Sequence, residues 1–315
     1  MSPFVPVLSD LTRRRAMMAG LLLTLTFFTA ATAQIPSPQT STWTGIWGNS
    51  STDIFMVGEY GAIGHYDGRN VAPMESGTVI WLSAVTGTTP TSLYAAGYNG
   101  LILHYDGHRW NRMDSTVTND LNGIWCSSPT DVYAVGDRGT IIHYDGSRWK
   151  KVPSGTQNLL FSIWGSSPQD IYAAGGRSTV LHFDGQAWKP VPVPLQTHLV
   201  GIWGSSPRDI FLVGDEGAIV HFDGRSWIPV NSGVQDVFRA VWGSSGQDVF
   251  VAGESGLILH YNGRSWQKQR VPMVEPLRGL WGSGPTDVFA IGEDGIFLRF
   301  DGQSWKSLGE GPPVH

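Results

Sequence analysis

The chain has a single cysteine, Cys126, in 315 residues. That excludes a disulfide-held scaffold and zinc sites built from cysteine pairs. Charged residues are also scarce, 15% against 41% apolar, which excludes a disordered chain of the charged, aromatic-poor kind. No polybasic patch follows Arg13-Arg14-Arg15, and the formal net charge is −5. Neither nucleic acid nor an anionic membrane is therefore an expected partner. A Gly-x-Ser-x-Gly elbow, His-Glu-x-x-His, a phosphate loop and Cys-x-x-Cys are all absent. Without them we expect no enzyme, no cofactor and no metal site, although a site assembled from several distant segments would leave no local motif. Past residue 33 no segment sustains a 3.6-residue apolar period, so almost no helix is expected there.

The first segment reads as an address. Arg13, Arg14 and Arg15 precede an apolar run from Ala16 to Ala30, and Ala31-Thr32-Ala33 is a small-x-small cleavage site. We expect residues 1–33 to be an export signal and the mature chain to start at Gln34. The run is short for a membrane-spanning helix, so retention as an anchor is the lesser alternative. Thr12-Arg13-Arg14 leaves the twin-arginine and general routes both open. No cysteine follows the signal to carry a lipid. Losing Asp10 and three arginines leaves a mature charge of −7. The expected location is periplasmic or secreted.

Abundance lies elsewhere, in 40 glycines and 14 tryptophans, and they recur at one period. Ile-Trp-Gly and its variants centre on Trp47, Thr86, Trp125, Trp164, Trp203, Trp242 and Trp281, in steps of 39. Asp-Gly-x-x-Trp and its variants end at Val71, Trp110, Trp149, Trp188, Trp227, Trp266 and Trp305, again in steps of 39. Within one unit, Leu121–Ser127, Asp131–Val135, Thr140–Tyr144 and Ser147–Val152 read as strands. Ser-Pro-Thr, Gly-x-x-Gly and Asp-Gly turns separate them, and the Asp-Gly reads as a two-residue type I′ hairpin.

Four short strands repeated seven times predict an all-β fold, a seven-bladed β-propeller with four antiparallel strands per blade. The blades are 43–81, 82–120, 121–159, 160–198, 199–237, 238–276 and 277–315, after a Pro/Ser/Thr-rich linker at 34–42. An open solenoid is the alternative, but the absence of an atypical capping unit favours closure. Nothing before Trp43 looks like a strand that could complete blade seven, so closure is expected to rest on packing between blades seven and one. The twelve tryptophans at repeated positions are expected to form two rings between blades. The position two before the first tryptophan is always small (Gly45, Ala84, Gly123, Ser162, Gly201, Ala240, Gly279), as crowded inner strands would require.

The unit Gly-Ile-Trp-Gly-Ser-Ser-Pro-x-Asp-Val-Tyr…Gly-x-x-Gly…His-Tyr-Asp-Gly-x-x-Trp resembles the repeats of exported bacterial propellers. These are grouped with the WD-repeat/YVTN-like superfamily and with photosystem II assembly-factor-like proteins. The hairpin Ile142–Trp149 is also similar to tectonin-type lectin repeats, which implies glycan or lipopolysaccharide binding as an alternative. Asp-Gly-x-x-Trp is one residue shorter than the Asp-box of sialidases, and the Trp-Asp dipeptide of WD repeats is absent.

One histidine per blade recurs at His65, His104, His143, His182, His221 and His260, with Arg299 in blade seven. Sevenfold separation argues against a shared metal. A hydrogen bond to the aspartate opening the second strand is the expected role, and Ser92 breaks that aspartate series in blade two. Cys126 stands where other units have glycine and reads as a drifted turn residue. Function is expected where the repeat is broken. The loops between strands two and three share a face with the linkers between blades, and there the side chains vary: Tyr60, Tyr98, Arg138, Arg177, Glu216, Glu254, Glu293 and Asp294. At the start of the inner strands stand Asn122, Arg239 and Arg278, the last two on neighbouring blades and able to hold a carboxylate or phosphate. Val71 and Thr86 each replace a tryptophan, and Trp81 between them is expected to refill that space or to serve as an exposed binding aromatic. The leading expectation is a monomeric, non-catalytic binding module for a protein. A lectin-like propeller comes second, and a sialidase-type hydrolase is a distant third.

Overall fold

A computed structural model describes residues 41–308. The export signal, linker residues 34–40 and residues 309–315 lie outside the described residues. Seven four-stranded antiparallel sheets follow one another, each with its strands in sequence order. In blade three the strands are Leu121–Ser128, Asp131–Gly136, Thr140–Tyr144 and Trp149–Val152. Among the described residues, helix is limited to six single 3₁₀ turns, and no helix is long and apolar enough to cross a membrane. The fold is the seven-bladed propeller that the 39-residue period predicts.

Blades adhere through position-specific contacts. The inner-strand tryptophan lies against the glycine of the next blade: a Cβ on Gly165 would be 2.7 Å from Trp125, and one on Gly48 would be 2.7 Å from Trp281, which joins blade seven to blade one. These inner tryptophans are half-buried, whereas outer-strand Trp110, Trp149, Trp188 and Trp305 are buried against the preceding blade. The small residue two before the inner tryptophan is explained by close approach, since a Cβ on Gly45 would sit 2.8 Å from Ala84 Cα. Blade seven is built from its own four strands, and the Gly295 amide donates to Ser41 O, as Gly217 does to Asp236 O in blade five. Ser41 thus stands where an inter-blade linker residue stands elsewhere in the ring.

Three sequence expectations change. The Asp-Gly hairpin is a four-residue loop, Asp145–Arg148, between the paired Tyr144 and Trp149. Gly146 takes a positive φ of 87° while Asp145 does not, so the turn is not type I′. Instead the Asp145 carboxylate accepts from the amides of Ser147 and Arg148 at 3.0 and 3.1 Å, which closes the loop from within. Trp81 does not refill the space left by Val71 and Thr86. Trp43, 1% exposed, fills the first place, with its ring over Gly64 beside Val71. Cys126, the glycine replacement, fills the second, with its Sγ 3.6 Å from Thr86 Oγ1. It is a partner in packing and not a drifted turn residue.

The histidines bond as expected. His65, His143, His182, His221 and His260 contact the second-strand aspartate at 2.6–2.7 Å and stack on its neighbouring aromatic ring at 4.1–4.4 Å. Arg299 repeats the bond to Asp287. In blade two His104 meets Ser92 at 3.2 Å, and burial lowers its pKa. The fold therefore takes up a proton on His104 less readily than the unfolded chain does. Stability from this group is present above the unfolded pKa of about 6.5 and falls as pH drops through the lowered folded pKa. Replacing His104 by Gln should flatten the pH dependence of the urea midpoint between about pH 7 and 5.

Thr140 Oγ1 is buried with no hydrogen-bond partner, and the residue is 1% exposed. Five of the six equivalent positions hold Ala62, Leu101, Ala218, Leu257 and Ile296, and the sixth, Thr179, donates its hydroxyl to Gly176 O at 2.7 Å. Thr140→Val removes an unpaired hydroxyl at nearly constant volume and should raise stability by about 1–2 kcal/mol in urea unfolding.

Candidate functional site

One end of the propeller gathers the residues that the repeat leaves free. Each second strand ends in a glycine, and the following residue donates its amide to the linker carbonyl just before the same blade's inner strand. Tyr98 N bonds Trp81 O at 3.0 Å, Asp137 N bonds Asp120 O at 2.9 Å and Asp215 N bonds His198 O at 3.1 Å. The turn places a non-glycine residue in the left-handed region at the same position of every blade, Tyr60, Asn99, Arg138, Arg177, Glu216, Ser255 and Asp294, with φ between 52° and 59°; in blade four Ser178 joins it where the other blades have glycine. All seven are exposed. A fixed backbone device therefore lifts one variable side chain per blade to solvent around the channel mouth.

The mouth opens on a cavity of about 380 Å³, lined by the starts of the inner strands and by Trp81 and Tyr98. Trp81 stacks on Tyr98, with ring centroids 5.4 Å apart and planes 7° from parallel. Trp81 is half-buried, Tyr98 is 39% exposed and Tyr60 in the next blade is 66% exposed. Val79, in the linker that ends at Trp81, is 63% exposed. Ser83 Oγ and Ser162 Oγ, also on the cavity wall, are buried without a partner.

Arg239 and Arg278 do reach the mouth together, but their charge is met within the chain. Arg239 Nε lies 2.9 Å from Glu254, Arg278 bonds Glu293, and Arg278 Nη1 is 3.9 Å from Glu254. Asn122 spends its amide on Asp137 at 3.1 Å and on Leu160 O at 3.0 Å. Thr44 likewise bridges to Leu82 O of the next blade at 2.5 Å. Apart from the longer Arg278–Glu254 approach, each of these pairings joins an inner-strand residue either to the residue fifteen further on or to the next blade. That spacing is visible in the sequence and would have found them.

Asp120, Asp137, Glu59 and Val79 are mouth residues that the sequence did not single out. Asp120 stands in register with Trp81, and Asp137 and Glu59 with Tyr98, in neighbouring repeats, which is the signal that could have found those three; Val79 carries no such mark. The Tyr98 phenol is held above its usual pKa, first by burial and then by Asp120, Asp137 and Glu59. Among the described residues no group of three His, Cys, Asp or Glu is placed to hold a metal.

A larger cavity, about 890 Å³, is a groove between blades five and six. Trp266, Tyr261 and the Asp209–His221 pair line it, with Asn231, Gln247 and Arg264. Gly246 stands there where most blades have proline (Pro90, Pro129, Pro168, Pro207, Pro285), and a Cβ on it would overlap Asp209 at 1.8 Å.

No protein-family model and no curated protein sequence matches the chain. Solved structures do. YCF48 bound to D1 peptide superposes with a TM-score of 0.68 at 17% identity, covering 84% of this chain and 94% of that one. YCF48 from Cyanidioschyzon merolae gives 0.68 at 16% identity, covering 84% and 97%. The WD40 propeller domain of Doa1 gives 0.69 at 11% identity, covering 84% and 93%. At these identities the likeness is one of fold.

Proposed function

We propose that this chain is an exported, non-catalytic propeller that binds a protein partner across its channel mouth. One observation carries this: the residues that repeat are engaged in holding blades together, while exposed apolar side chains that do not repeat gather at one end. Tyr60, Val79, Trp81 and Tyr98 form an unpartnered patch of the kind that marks interaction sites. Asn122, Arg239 and Arg278 shape the same mouth. A solved neighbour of this fold is described as bound to a peptide, which agrees with peptide capture by such a scaffold. Export rests on the basic run and small-x-small site of segment 1–33.

The experiment is a binding comparison on the mature chain, residues 34–315. A partner selected from a displayed peptide library should lose at least about tenfold in affinity on Trp81→Ala, as truncation of an interface aromatic does. Circular dichroism should show the fold unchanged. Partners that bind Trp81→Ala as tightly as the parent would place the site elsewhere. The blade five–six groove favours a second reading, glycan binding, because it joins an aromatic wall to several polar groups. A glycan array that lights up with the parent and goes dark on Trp266→Ala would select it.

A further inference from the structure

Charge is unevenly shared between the two ends of the propeller. The loops between strands two and three, the linkers and the starts of the inner strands carry twelve carboxylates against five arginines, Arg138, Arg177, Arg239, Arg270 and Arg278. Everything else among the described residues is close to neutral, because the twelve aspartates there are balanced by five lysines and eight arginines. The net negative charge of the described chain therefore resides on the mouth face.

Within that face the sectors differ. At blades six and seven Arg239 and Arg278 neutralise Glu254 and Glu293. At blades one to three, Glu59, Asp120 and Asp137 surround the Trp81–Tyr98 stack. Arg138, beside Asp137 in the chain, is the cation of that sector and is ion-paired with none of the three. Both Asp120 and Asp137 keep one oxygen on a neutral donor, Asn99 N at 2.8 Å and Asn122 Nδ2 at 3.1 Å, which orients them without removing their charge. The sector thus joins flat aromatic faces to uncompensated negative charge. A bare metal ion is a poor occupant, since no three ligands converge. A cation on a flexible apolar stem satisfies both features, through the π faces and through Coulomb attraction. The apolar surface continues past the stack. The turn bearing Tyr60 packs on the linker at Thr78, and Val79 follows in that linker, so more than a lone side chain can be covered.

We infer that the blade one–three sector of the mouth receives a cationic segment of a protein partner, with a lysine or arginine side chain laid along Tyr98 and Trp81 among Glu59, Asp120 and Asp137. This rests on the proposal that the mouth is the binding face, and it names the partner's chemistry.

The test uses the mature chain and three forms: parent, Trp81→Ala, and the triple variant Glu59→Gln, Asp120→Asn, Asp137→Asn. The last keeps the acceptor oxygens that hold Asn99 N and Asn122, so it should fold. Random dodecapeptides displayed on phage are selected on the parent, and those that also bind Trp81→Ala are discarded. The retained peptides should be enriched in Lys and Arg. Synthesised and measured by fluorescence polarisation, they should weaken by about tenfold or more on the triple variant. They should weaken comparably between about 50 and 500 mM NaCl. Retained peptides rich in Asp and Glu, or without charge preference and indifferent to the triple variant, would overturn the cationic partner while leaving the mouth as the binding face. A selection that retains no Trp81-dependent peptide would overturn both.

Discussion

Gly214→Ala should be the most damaging single-methyl change in the scaffold, costing more than about 3 kcal/mol. The backbone at Gly214 is extended, with φ −174°, so an alanine would suffer no dihedral penalty. The obstacle is a neighbour: its Cβ would sit 1.8 Å from the carbonyl oxygen of His198. That carbonyl cannot retreat cheaply. It accepts the Asp215 amide at 3.1 Å and leads straight into the inner strand that begins at Leu199. The same approach recurs at Gly58, Gly97, Gly136, Gly175, Gly253 and Gly292, with distances of 1.9–2.2 Å. Gly284→Ala is the control, because nothing lies within 4 Å and the position has no left-handed φ. Its urea midpoint should move by less than about 0.5 kcal/mol equivalent, while that of Gly214→Ala falls steeply at an unchanged m-value. Equal midpoints for the two would refute the account of how mouth turns are anchored. Gly97→Ala adds a functional consequence, since the carbonyl it would strike, at 2.2 Å, belongs to Trp81.

The second large effect concerns the blade two–three interface. Six interfaces set tryptophan against glycine, and this one sets Thr86 against Cys126. Thr86→Trp alone drives an indole into the cysteine side chain and should cost about 1–3 kcal/mol. Cys126→Gly alone leaves a small void and costs about 1 kcal/mol. The double variant rebuilds the pairing found elsewhere in the ring and should return to parental stability or better. The coupling energy is then about 2–4 kcal/mol in favour of the pair. Additive losses in the double-mutant cycle would show that the two replacements are unrelated. Burial also pushes the Cys126 thiol up to about 11, so thiol reagents should label it only as the chain unfolds.

These two sites also mark what could be read in advance. The period of 39 carried the fold, because each blade must satisfy itself and its neighbours with the same residues at the same positions. The histidine-to-aspartate bond was legible for the same reason, with the partners twelve positions apart in each of the five blades that carry both. The hairpin type was not, since an Asp-Gly pair fits two turns and the choice falls to the carboxylate's reach along its own loop. Trp81 was recognised as irregular and left between core filler and binding aromatic: its position, one before the inner strand, is a repeated linker position that lines the mouth, so it does not fill the core. The arginine pair was located correctly, yet its neutralisation depended on Glu254 and Glu293, which the sequence placed only on the same face. Packing substitutions such as Thr86 with Cys126 were hidden because each looked like isolated drift until the two blades were brought together.

The left-handed turn at the mouth bears on how such a protein can change. Its seven exposed positions already hold tyrosine, asparagine, arginine, glutamate, serine and aspartate on one backbone shape. The conformation is set by the turn and already accepts side chains of several kinds, none of them β-branched, so exchange within that set disturbs the blade far less than a core substitution, with asparagine and aspartate the best suited. Recognition can be rewritten one position at a time without asking the scaffold to refold, much as a lock with seven independent pins is rekeyed without recasting its barrel.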